Sequence, residues 1–192
     1  MKRLFCLLAL LMAAVYALPL LTVGFHGGQV PAEELSTEEE PKEPAYDEQT
    51  VITLCHEGQG MELDLHTYLC GVVAAEMPAS FPEAALEAQA VAARTYSLYQ
   101  LKLYENGKAI PASHQGAQLC SDHTHCKAYT DLAQKSGDLW GVNAAYYRDR
   151  ITRAVEGTNG RIATYEGEPI AAVFHSTSSE RTESAQAVWG NE

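Results

Sequence analysis

Glu76 is set where an acid does chemistry or does harm. It follows Val72 by four positions and Val73 by three, so on a helix over 67–78 it continues the apolar face of Leu69, Val72 and Val73. Burial there disfavours the charged carboxylate, an adjustment needed by a group that protonates a glycosidic oxygen near neutral pH. The plain alternative is an exposed or capping glutamate at a helix end. Gln89 and Arg94 stand among alanines in the next helix, where a guanidinium can hold a carboxylate or a sugar substituent in fixed geometry. A solvated arginine is the plain alternative there.

A second cluster, His114, Cys120, His123, His125 and Cys126, falls within thirteen positions. Two histidines and two cysteines make a closed tetrahedral zinc site of the structural kind. A Cys120–Cys126 disulfide is the competing account in an oxidising compartment. The coincidence of three histidines favours zinc, while His123 and His125 compete for one place. Cys55 and Cys70 either pair or stay reduced.

The elements that position these groups are read from periodicity and breakers. Val51–Leu54 predicts a strand, and Pro78 ends the helix carrying Glu76. The next helix starts at Pro82 and runs to Leu101, with Leu86, Ala90, Ala93, Ser97 and Leu101 on one face. Tyr146–Gly157 predicts a helix, and Ile162–Tyr165 and Ile170–His175 predict strands joined at Glu166-Gly167-Glu168. The expected fold class is therefore α+β, a single mixed helix/strand domain over 50–192.

Two segments precede it. Lys2 and Arg3 lead an uncharged apolar run from Leu4 to Phe25, so residues 1–26 predict a transmembrane signal anchor with its basic end in the cytoplasm. A cleaved secretory signal is the alternative, and either one exports the rest. Residues 27–49 contain Pro31, Pro41, Pro44 and a run of acids from Glu33 to Glu48. They predict a disordered, solvated linker. The formal net charge is -12, with 13 basic against 25 acidic side chains. Such a chain repels a phosphate backbone, which excludes nucleic acid as a partner.

The run from Tyr68 through Glu76-Met77-Pro78, Phe81-Pro82 and Gln89 to Arg94-Thr95-Tyr96 closely resembles stage II sporulation protein D and the related LytB-type domains. The resemblance continues through 120–129, Phe174–Ser178 and 181–183. It implies a peptidoglycan lytic transglycosylase acting in endospore engulfment, with Glu76 as acid and base and Arg94 in the same site. Gln89 and the Ser176-Thr177-Ser178 loop are implied to contact substrate, and zinc to be held by His114, Cys120, His125 and Cys126. The implied substrate is glycan strand stripped of its stem peptides. That requires an amidase partner of the stage II sporulation protein P kind and a place outside the cell membrane at the sporulation septum. The LytB relatives imply an alternative, a non-catalytic peptidoglycan-binding activator of an amidase. There are two departures from the family pattern: Ser179-Glu180 stands where glycine is usual, and Glu87 where lysine is common. By the same resemblance the domain is expected to continue past Glu192, leaving this copy C-terminally truncated.

Overall fold

The computed structural model describes residues 46–177 and 180–190. The anchor expected at 1–26, most of the linker and Ser178 lie outside them. Among the described residues no helix is long and apolar enough to cross a membrane.

A short helical turn, α1 (Tyr46–Gln49), leads into a hairpin of β1 (Val51–His56) and β2 (Gln59–Asp64). Glu57 and Gly58 turn it with positive φ at both positions, the twist that tight hairpins favour. Antiparallel register runs from Val51↔Asp64 to His56↔Gln59. A two-residue strand, β3 (Leu119–Cys120), pairs in parallel with the other edge of β1, giving the order β2-β1-β3. Gln118 fastens that junction, accepting from the Thr53 N–H at 2.9 Å while its own N–H donates to Thr53 Oγ1 at 2.9 Å.

Helix α2 (Leu65–Glu76) starts where Asp64 Oδ1 accepts the Thr67 N–H at 2.7 Å, an N-cap that satisfies one of the helix's free donors. It ends as Met77 turns extended ahead of Pro78. Helix α3 (Glu83–Glu105) follows, longer than expected because nothing after Leu101 breaks it until Asn106 and Gly107. Two further helices, α4 (Leu132–Trp140) and α5 (Ala144–Gly157), complete a layer in which α3 packs on α2 and α5. Ile52 and Leu54 from β1, Val72 and Val73 from α2, Leu86 from α3 and Ile151 from α5 are all fully buried in one core. Burial of this kind is worth roughly 1.5–3 kcal/mol per large aliphatic side chain. A mixed α+β domain is the outcome.

Two expectations need correction. The strand predicted over Ile170–His175 does not form. A short ribbon pairs β4 (Thr164–Tyr165) with β5 (Glu168–Pro169), and the ladder ends there. Pro169 has no N–H to offer, and Ile170, Val173 and Phe174 stay partly exposed without a neighbouring strand among the described residues. A last helix, α6 (Ala185–Trp189), is capped by Ser184. The second correction concerns the linker: residues 46–49, expected within it, belong to the fold. Asp47 is 1% exposed, and its N–H donates to Asn159 Oδ1 at 3.1 Å.

Candidate functional site

Asp47 is buried because Arg94 is. The Arg94 guanidinium is 0% exposed and binds both Asp47 carboxylate oxygens, through Nε at 2.9 and 3.0 Å and Nη2 at 2.6 Å. Its remaining reach goes to the carbonyls of Arg161 and Val155 at 3.1 and 3.2 Å. No face is left for a sugar substituent. The expectation that Arg94 shares the acid's site is therefore replaced by a structural role: it ties α1, α3 and the end of α5 together. Gln89, expected to contact substrate, is buried, and its Nε2 finds no partner among the described residues.

Glu76 is half-buried at the last turn of α2, and its Oε1 accepts the Ala128 N–H at 3.1 Å. Among the described residues no donor reaches Oε2. The loop beyond Glu76 is held from α5, where Arg150 donates to the carbonyls of Ala79 at 2.9 Å and Phe81 at 2.7 Å.

Ala128 lies in a strap, residues 120–131, that runs along α2. The Thr130 N–H donates to the Gly71 carbonyl at 3.2 Å, and the Tyr129 ring stacks on Tyr68 at 6.0 Å and meets His56 edge-on at 5.0 Å. Gly71 permits this approach. A Cβ there would stand 2.6 Å from the Thr130 carbonyl oxygen and nearer still to the Tyr129 ring. Only a residue without a side chain fits.

The upper part of the strap gathers His114, Cys120, His125 and Cys126, whose ligand atoms all lie within 4.8 Å of one another. His125 Nε2 is 3.0 Å from His114 Nε2 and 3.2 Å from Cys120 Sγ, and Cys126 Sγ is 3.4 Å from His114 Nε2. Tetrahedral zinc bonds of about 2.0–2.3 Å separate ligand atoms by roughly 3.3–3.8 Å, so the donor set fits such an ion. His114 Nδ1 lies 3.1 Å from the Gln118 carbonyl. A carbonyl only accepts, so the proton sits on Nδ1 and the Nε2 lone pair faces the cluster. His123 is exposed and outside the set, so of the two competing histidines it is His125 that faces the cluster. Cys55, Cys70, Cys120 and Cys126 are all free thiols, so neither disulfide alternative is formed. In the metal-free chain, burial pushes the Cys126 thiol up to about 12 and the His114 imidazole down.

Lys127 follows the cluster and was not singled out by its sequence context. It is 8% exposed, with Nζ 4.1 Å from the centroid of the Tyr96 ring and 4.2 Å from that of Phe174. Burial pushes its ammonium down, with the Glu76 carboxylate pulling the other way. Tyr96 is held in turn by its hydroxyl, which donates to the His125 carbonyl at 3.0 Å. Ser176 and Thr177, expected to contact substrate, are exposed and follow Phe174 by two and three residues.

A separate cavity of about 230 Å³ lies along the first half of α2, lined by His66, Thr67, Cys70, Tyr129, Asp131 and Arg148 among others. Its thiol, Cys70, is pushed up to about 12 by burial and is no nucleophile at neutral pH.

A small α+β domain in which a Cys/His strap supplies the backbone donor to a helix-end glutamate defines the class of site. Comparison with known proteins gives the family. The profile described as SpoIID: Stage II sporulation protein matches residues 57–165, and the chain belongs to that family. It is 40% identical over 127 residues to stage II sporulation protein D of Bacillus amyloliquefaciens, covering 66% of this chain and 35% of that protein. Identity is 39% to the Bacillus subtilis (strain 168) protein of the same name, with the same coverage. The amidase enhancer of Bacillus subtilis is 34% identical over 123 residues, 64% of this chain and 14% of that protein. The chain thus spans about a third of the length of the two sporulation proteins it matches.

Proposed function

We propose that this chain is a lytic transglycosylase that cleaves stem-peptide-free glycan strands of peptidoglycan during endospore engulfment. The observation that supports this most is the asymmetry at Glu76: Oε1 is fixed by the Ala128 N–H, while Oε2 is left without a protein donor among the described residues. A carboxyl held by one oxygen can present the other to the oxygen that leaves C1 of the muramic acid residue. Glu76 gives that oxygen its proton as the glycosidic bond breaks. The resulting carboxylate takes the proton of the sugar's own C6 hydroxyl as that oxygen closes on C1. The product is a 1,6-anhydro sugar, formed without water and without a second, nucleophilic carboxylate.

His114, Cys120, His125 and Cys126 would hold the zinc ion. Bound there, it supplies a structural cross-link with four protein ligands and no open position for activating water. On this reading residues 1–26 anchor the domain outside the membrane, and an amidase of the stage II sporulation protein P kind prepares the substrate. The likeness to an amidase enhancer supports a second reading, a wall-binding activator that needs no acid.

Incubating the chain with stem-peptide-free strands and looking for 1,6-anhydro-muramic ends by mass spectrometry separates the two. The transglycosylase produces them and Glu76→Gln does not. If neither protein makes the ends while both bind the strands, the activator reading replaces it.

A further inference from the structure

Lys127 is a buried cation that makes no ion pair among the described residues. Its two close partners are rings from segments far apart in sequence. Tyr96 belongs to α3, in the core layer. Phe174 belongs to the irregular stretch after β5, where Ala172 is buried but no strand pairs with the backbone among the described residues. The Ile170 N–H reaches back to the Ala163 carbonyl at 3.2 Å, and the Val173 N–H bonds only within the stretch, to Ala171 at 2.8 Å. Phe174 itself is 39% exposed. An ammonium lying against two ring faces attracts both, most strongly when water is excluded. Lys127 is also the immediate neighbour of Ala128, the residue whose N–H fixes Glu76.

We propose that Lys127 is a positioning residue: its charge, clasped between Tyr96 and Phe174, holds the Phe174–Thr177 segment against the Glu76 corner. The Ser176 and Thr177 hydroxyls are then presented to the hydroxyl and acetamido groups of a pyranose bound beside the acid. The catalytic consequence rests on the function proposed above; the clasp does not. Lys127 touches no reacting atom, so its removal weakens substrate binding more than turnover.

The test uses the full chain in four forms: wild type, Lys127→Met, Lys127→Arg and Phe174→Leu. Amide hydrogen exchange over 170–177 is expected to quicken in Lys127→Met and Phe174→Leu and to stay near wild type in Lys127→Arg, which restores the cation. Phe174→Leu alters a partly exposed ring and keeps the measurement informative should Lys127→Met fold poorly. With stem-peptide-free strands, Lys127→Met is expected to raise KM about tenfold with kcat changed less than about twofold, and Lys127→Arg to recover most of the loss. Unchanged exchange in both Lys127→Met and Phe174→Leu, or failure of Lys127→Arg to rescue, overturns the proposal. If wild type makes no anhydro ends, the transglycosylase reading fails, and the exchange measurement alone decides the clasp.

Discussion

Arg94 and Lys127 are both buried cations, and both are tied to α3, yet they are accommodated in opposite ways. Arg94 has a carboxylate on its fork and two carbonyls beyond it, in a region 0–1% exposed. Lys127 has two rings and no ion-pair partner among the described residues, next to the strap that fixes Glu76. The first arrangement satisfies every strong demand of the charge and makes a lock. The second leaves the charge held only by ring faces, and makes a clasp between α3 and the stretch after β5. The lesson is that burial of a cation does not by itself report its role; the chemistry of its partners does.

The lock side breaks hardest. Asp47→Ala strands the Arg94 guanidinium in the core, and losing one partner of a buried pair costs about 3–5 kcal/mol. Urea unfolding should show that loss, and a loss below about 1 kcal/mol would mean that α1 is not part of the folded unit. A smaller effect is expected where the strap meets α2. Gly71→Ala puts a methyl against Tyr129 and the Thr130 carbonyl, an overpacking cost of about 1–3 kcal/mol. Because the strap must shift to admit it, anhydro-end formation should fall as well, and normal turnover with lowered stability would separate the strap from catalysis. The smallest effect sharpens the contrast from inside α3. Gln89→Leu removes a buried donor without a partner among the described residues and should raise stability by about 1 kcal/mol in the same assay. A drop instead would show that the amide is engaged.

Much of the helical frame was legible, because α2, α3 and α5 carry apolar periodicity and visible breakers. Helix α4 was not: Leu132, Ala133, Gln134 and Lys135 are good helix formers, but Ser136-Gly137-Asp138 interrupts a short run that starts from Asp131 accepting the Ala133 and Gln134 N–H groups. The hairpin partner β2 was missed for a similar reason: Gln59-Gly60-Met61-Glu62 is weak strand sequence, and β1 recruits it. The His/Cys cluster showed in residue type and spacing, which left His123 and His125 in competition; the family resemblance chose the four, as it chose Glu76 over a plain helix-end acid. Asp47 could not be, lying as it does in a run of acids where nothing local marks the one that meets a guanidinium 47 residues away. Lys127 was hidden likewise, since its meaning comes from rings at 96 and 174.

Gly71 sets how closely two walls of the site can stand. Its contribution is a volume left empty, and Tyr129 has moved into it. The gap between α2 and the strap, and with it the pose of the Ala128 donor, is therefore calibrated from a position that offers no side chain to any ligand. A catalytic group is usually disarmed by changing the group itself. Here any added carbon at a residue five positions before the proposed acid would shift the wall that aims it, so the site's tolerance to mutation should be narrowest at a residue with no functional group at all.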